Sequence, residues 1–167
     1  MTFKHILLSL LLTIIAFGAC KKDEVTDPNP MPVAKAILPG VGSTEIKIGD
    51  AAQVAIDLFG PPFPSNASAG GMYTHYLVYA SKGVVIYCVP VTEATFNAQM
   101  KIARLKFSAP YDGKTEKGIG VGSTKVEVKS AYGNPTSSSV SLGDAYAIGI
   151  TFIYDSITEK VKSIEVK

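Results

Sequence analysis

Two stretches of this chain end in the same way, and that ending limits what the chain can build. Phe59-Gly60-Pro61-Pro62 and Tyr132-Gly133-Asn134-Pro135 both read aromatic, glycine, any residue, proline. Glycine tolerates the positive φ that closes a helix, and proline forbids another helical turn. Seventy-three positions separate the two stops, and the same register pairs Ile48-Gly49-Asp50 with Val121-Gly122-Ser123. Downstream, Ile102-Ala-Arg-Leu105-Lys-Phe107 matches Val161-Lys-Ser-Ile164-Glu-Val166 at a shift of 59, so the second copy is 14 residues shorter between those landmarks. The reading is a short helix followed by strands, made twice.

Each copy carries start signals as well. In the first, Asp50 is the expected cap, with Gln53 completing a capping box, and Ala51, Val54, Ala55, Leu58 and Phe59 form the apolar stripe. In the second, Thr124 and Glu127 form the box, and Val128, Ala131 and Tyr132 the stripe. The identical pentapeptide Gly-Val-Gly-Ser-Thr at Gly40–Thr44 and Gly120–Thr124 is a decoy, because its offset of 80 sets Gly60 against Val140. It is not a phosphate loop either, since that motif requires a lysine after its last glycine.

The strand pattern follows the helices. Thr44–Ile48 alternates as a lead-in strand. Met72–Ala80, Val84–Val89, a segment around Thr92–Ala98, and Met100–Ser108 supply strands in copy one, after a long Phe63–Gly71 loop. Copy two has a Ser-rich loop, strand material over Ala145–Tyr154, a turn near Asp155–Glu159 and a strand over Lys160–Val166, and Tyr111–Thr115 is a turn joining the copies. The fold class is α+β: two tandem repeats, residues 36–112 and 113–167, each a helix on an antiparallel meander, together one curved sheet.

The N-terminus sets the location. Lys4 and His5 precede an apolar run from Ile6 to Phe17, then Gly18, Ala19 and Cys20. That is a secretory signal over residues 1–19, too short for a membrane span. Phe17-Gly18-Ala19-Cys20 resembles a bacterial lipobox, with Phe17 where an aliphatic residue is usual. The resemblance implies cleavage before Cys20 and acylation of that cysteine, palmitate included, and several acyl chains on one residue give lasting attachment. Lys21-Lys22-Asp23-Glu24 resembles the export tag of surface lipoproteins. The implied location is the outer membrane of a Gram-negative bacterium, facing the surface, with the periplasmic face as the alternative. Residues 20–35 hold Asp27-Pro28-Asn29-Pro30-Met31-Pro32, which reads as an extended tether.

From Thr115 to Pro135, with Gly149–Tyr154 and Val161–Ile164, the second copy resembles one unit of the β-lactamase-inhibitor-protein-like superfamily, shared by small outer-membrane assembly lipoproteins. The resemblance spans about residues 44–167. It implies the α+β unit; the family includes enzyme inhibitors and envelope-assembly subunits, and no inhibitory loop carries over.

Little else points to chemistry. Without the signal, fifteen cations face fourteen anions, which does not suit nucleic acid. With Cys20 acylated, Cys88 stands alone in an apolar run and reads as a buried thiol. His75 has no Cys or His cluster near it in sequence, so no metal set is expected and packing explains it. Asp112, Asp144 and Asp155 fall in turn-like settings. Catalytic residues, metal, nucleotide and other cofactors are expected to be none, and the chain is not read as an enzyme. The remaining candidates are aromatic. Phe63, Tyr73, Tyr76 and Tyr79 are the expected partner-binding residues, with Tyr73 and Tyr79 on one face of their strand and Tyr76 on the other. The expected function is a lipid-anchored module for a protein partner, the alternative being a glycan or peptide.

Overall fold

The computed structural model describes residues 35–167. The signal segment, Cys20 and the tether before Lys35 lie outside the described residues. Among the described residues, no helix is long and apolar enough to cross a membrane.

The fold is α+β. Two short strands, β1 (Ala36–Leu38) and β2 (Gly42–Ser43), lead into helix α1 (Ala52–Phe59). Strands β3 (Phe63–Ala69), β4 (Met72–Tyr79), β5 (Val84–Cys88) and β6 (Ile102–Ser108) follow, then β7 (Lys114–Thr115) and helix α2 (Lys125–Tyr132). The chain closes with β8 (Ser137–Ser139), β9 (Gly143–Tyr146), β10 (Ile150–Tyr154) and β11 (Val161–Val166). Eight of these strands form one antiparallel sheet in the order β3-β4-β5-β6-β11-β10-β9-β8. The last strand of each meander therefore meets the other at the centre. A smaller sheet, β2-β1-β7, joins the lead-in to the connector.

Both helices lie on the same face of the large sheet. Ala52 and Ala55 of α1 are buried and Phe59 meets Tyr79 edge-on at 5.1 Å. Val128 of α2 is buried, and Tyr132 packs on Tyr146 and Phe152 at 5.5 and 5.3 Å. Two rows of side chains cross the sheet beneath them. One runs Pro64, Leu77, Ile86, Leu105, Val166, Ile150, Tyr146; the other runs Ser138, Asp144, Phe152, Ile164, Phe107, Val84, Tyr79. Leu77, Ile86, Leu105, Phe107, Ile150, Phe152, Ile164 and Val166 are 0–1% exposed, and this double row is the core.

Several local expectations need correction. The cap of α1 is not Asp50. Its carboxylate accepts from Lys47 N at 2.8 Å and the N-cap is Ala51, with no side-chain bond. The first N–H groups of α1 instead donate to Met100 O (2.9 Å, from Ala52) and Ala98 O (2.7 Å, from Gln53). The first of these has a counterpart in α2, where Lys125 N donates to Glu159 O at 3.0 Å; the second, to Ala98 in the longer segment of the first half, takes the place of a side-chain cap. The apolar stripe is rotated to Ala52, Ala55, Ile56 and Phe59, leaving Val54 and Leu58 exposed. In a helix apolar on most sides, spacing alone does not pick the inner face. The α2 box stands as expected: Glu127 N donates to Thr124 Oγ1, and Thr124 N to the Glu127 carboxylate.

Phe63–Gly71 is not a loop. It is β3 and a two-residue turn, with Gly70 and Gly71 at φ 58° and 77°. Paired positive-φ residues match the twist of a hairpin. An edge strand needs little apolar content, because only one side pairs. The Ser-rich segment forms β8 for the same reason. Thr44–Ile48 and Thr92–Ala98 are irregular rather than strands. The region Ala145–Tyr154 breaks at Gly149 into β9 and β10. Tyr111–Thr115 is not a simple turn, since Lys114–Thr115 pairs parallel with β1.

Candidate functional site

Alternation along β4 divides the four aromatic candidates between the two faces. Tyr73, His75, Leu77 and Tyr79 point toward the helices; Tyr76 and Val78 point away. Tyr79 is 5% exposed and its hydroxyl, pushed up to about 12 by burial, is enclosed beneath α1. It cannot touch a partner, which corrects its place among the binding residues. Tyr73 is half-buried against His75, with ring centroids 6.4 Å apart. Phe63 is 75% exposed. It pairs with Val78, and so shares the helix-free face with Tyr76.

The helix side holds packed polar groups. His75 is 1% exposed, lies 6.1 Å from the Phe96 ring, and its Nε2 bonds Glu93 O at 2.9 Å. It anchors the segment between β5 and β6, as a packing histidine does. Cys88 is buried, and burial pushes its thiol up to about 11, far from a reactive thiolate. Asp155 keeps its turn role, its Oδ1 accepting from Ile157 N, Thr158 N and Thr158 Oγ1. Asp112 sits in the exposed connector and pairs with Lys35 at 3.5 Å. Asp144 departs from the expected turn. It lies in β9 at 1% exposure, one oxygen accepting from Ser138 Oγ and the other without a partner. The buried Tyr154 hydroxyl, also without a well-formed bond, faces this carboxylate, and its pKa is raised by burial first and by Asp144 second.

The helix-free face is where side chains converge without cover from any described helix. One row across it reads Phe63, Val78, Val85, Lys106, Glu165, Thr151, Ala145, Ser137; a shorter one reads Ser65, Tyr76, Tyr87, Arg104. Its first-half portion is apolar and aromatic, with the Tyr76 and Tyr87 rings 5.7 Å apart. The Arg104 guanidinium lies 4.0 Å from the centre of the Tyr87 ring. It also reaches Glu165 at 3.3 Å, and Lys106 approaches the same carboxylate at 3.9 Å. Beside these charges a groove of about 550 Å³ runs toward β8, bordered by Arg104, Lys106, Leu142, Thr151, Ile153 and Glu165.

Val78, Val85 and Arg104 were missed in the sequence. Val84-Val85-Ile86-Tyr87-Cys88 is apolar throughout, so its outward members cannot be told from its inward ones. The signal was in the neighbouring strand. Arg104-Leu105-Lys106-Phe107 alternates cleanly and fixes which partners in β5 point out.

No family profile and no curated protein matches this sequence. Among solved structures, a cysteine-rich secretory protein (SAV1118) from Staphylococcus aureus subsp. aureus Mu50 aligns at 13% identity and a TM-score of 0.44. The match covers 80% of this chain and 49% of that one, so the chain spans about half the length of its neighbour. At that similarity neither fold nor function transfers.

Proposed function

We propose that this chain is a non-enzymatic binding module, lipid-anchored in the bacterial envelope through Cys20, that holds a protein partner on the helix-free face of its sheet. The observation that carries the reading is the patch of exposed Phe63 with half-buried Val78, Val85 and Tyr76, an apolar surface that no described helix covers. Aromatic side chains and arginine are what protein interfaces use most as anchors, and Tyr76, Tyr87 and Arg104 stand beside the apolar patch on this face. The glycan alternative is less well served, because sugar stacking needs a free ring face and Arg104 already lies over Tyr87.

The same reading holds the chain to be two copies of one helix–meander unit, of the β-lactamase-inhibitor-protein-like kind. Paired hydrogen bonds support this. Gly49 N donates to Ile102 O and Gly122 N to Val161 O, each at 2.8 Å. Ile102 N donates to Asp50 O and Val161 N to Ser123 O. Ladder irregularities fall at Tyr87/Cys88 and at Ile153/Tyr154. The hydrogen-bond pairs keep the 73- and 59-residue shifts of the sequence, and the irregularities fall between those two landmarks.

The location is the outer membrane of a Gram-negative cell, displayed at the surface, with the tether raising local concentration for the partner. Cross-linking in intact envelopes tests the face. A partner species captured by the native chain should be lost from a Phe63→Ser/Val85→Ser chain, and its retention overturns the assignment. Cys20→Ala should release the processed protein from membranes, and full retention overturns the anchor.

A further inference from the structure

Resting on that reading of the helix-free face, we propose that the partner segment it selects is an acidic polypeptide, laid as an extended strand across the sheet from the Phe63 patch into the groove beside Arg104 and Lys106. Charge carries the argument. Of the side chains that the strands direct to this face, Glu165 is the acid, and it is shared between two cations, Arg104 at 3.3 Å and Lys106 at 3.9 Å. One carboxylate between two cations leaves a net positive charge among strand side chains that are otherwise uncharged. Glu165 is also the least exposed of the three, its side chain 19% exposed against 39% for Arg104 and 33% for Lys106. The cations therefore present their outer sides to an incoming group while their inner sides are neutralised.

Arg104 is held for this task. Its guanidinium is fixed over Tyr87 at 4.0 Å and pinned by Glu165, so little freedom is lost when its remaining donors meet a carboxylate. Apolar anchors and cations follow one another across neighbouring strands: Phe63, Val78 and Val85 lead to Lys106, and Tyr76 and Tyr87 lead to Arg104. A polypeptide carrying apolar residues followed by acids matches that order. An acidic glycan matches only the charged end.

The test uses the protein with residues 20–167 intact and a short synthetic peptide of valine and tyrosine followed by glutamates. Controls are the same peptide with lysine for glutamate, and an oligogalacturonate as the acidic glycan. The expected result is saturable binding of the acidic peptide alone, weakening severalfold as salt rises from low to physiological strength. An Arg104→Gln/Lys106→Gln chain should bind about tenfold more weakly. Its melting curve separates loss of a contact from loss of fold, and Lys106→Gln alone provides the milder variant. Equal binding by native and double-variant chains, binding of the lysine peptide, or preference for the oligogalacturonate overturns the proposal. The broader reading fails separately: if Phe63→Ser/Val85→Ser leaves the envelope cross-link intact, the face itself is wrong, whatever its charge preference.

Discussion

The two halves of the sheet place different chemistry at corresponding points. In the first half, Leu77 of β4 lies between Pro64 and Ile86, wholly buried. In the second half, counting outward from the central pair of strands, the same place holds Asp144, between Ser138 and Phe152. One half closes its edge with an apolar pair. The other closes it with a hydroxyl donating to a carboxylate, and leaves the second carboxylate oxygen without a partner. Two regions can therefore share a hydrogen-bond frame and differ in core chemistry, provided that a buried polar group has a donor beside it.

Leu77→Asp is the most severe way to break this comparison. It moves the carboxylate to a row whose neighbour is Pro64, which offers no hydroxyl. An uncompensated buried charge costs about 3–5 kcal/mol. Thermal unfolding should show a large loss or failure to fold; a change as small as that of a surface substitution would mean that the two positions are not equivalent.

Gly60 and Gly133 test the frame rather than the core. Both end their helices at positive φ, 84° and 77°, with ψ of −171° and −151°, a region open essentially to glycine. An added Cβ would meet nothing within 4 Å at either site. The cost of Gly60→Ala and of Gly133→Ala is therefore backbone strain alone, about 1–3 kcal/mol each. Chemical denaturation should give two values that agree closely. Clear disagreement would break the case that the ends are copies.

The reciprocal exchange, Asp144→Leu, made together with Tyr154→Phe, should stabilise by about 1–2 kcal/mol, since the two changes remove a buried carboxylate oxygen and the buried hydroxyl facing it, neither of which has a well-formed bond. A loss of similar size would show that Asp144 and Ser138 act as a satisfied pair.

How much of this was legible in the sequence differs between frame and surface. The helix stops, the Thr124–Glu127 box and the central strands were readable because glycine, proline, capping residues and alternation act locally. The α1 cap was not, because its acceptors are the carbonyls of Met100 and Ala98, more than forty residues away. Carbonyls belong to every residue and leave no compositional trace. The edge strands β3 and β8 were hidden for a related reason: Ser, Ala, Asn and Gly pair by their backbones there, while their side chains suggest a loop. Of the binding candidates, alternation correctly separated Tyr76 from Tyr73 and Tyr79. It could not say which face the helices would cover, and so Tyr79 was counted among exposed residues.

The difference between the two caps gives the smallest effect and the most specific signature. Thr124→Ala removes the side chain that accepts from Glu127 N, and an N-cap loss of this kind costs about 1 kcal/mol. Ala51 has no side-chain acceptor to do this. Both helices donate their first N–H to a main-chain carbonyl, Met100 O and Glu159 O, and α1 adds Gln53 N to Ala98 O where α2 uses its box. The Glu127 carboxyl is held below its usual range, first by the Thr124 backbone N–H and then by the Thr124 hydroxyl. A group whose folded pKa is depressed stabilises above its unfolded pKa, and that contribution is lost as pH falls through the folded value. In the native chain, α2 should thus weaken on acidification below the ordinary glutamate range. In Glu127→Gln that step should disappear, and in Thr124→Ala, which keeps the backbone N–H and loses only the hydroxyl, it should shrink. Amide exchange resolves the helices separately, with α1 as the internal reference. If protection of α1 and α2 falls in parallel with pH in all three chains, the titrating cap is not what distinguishes them.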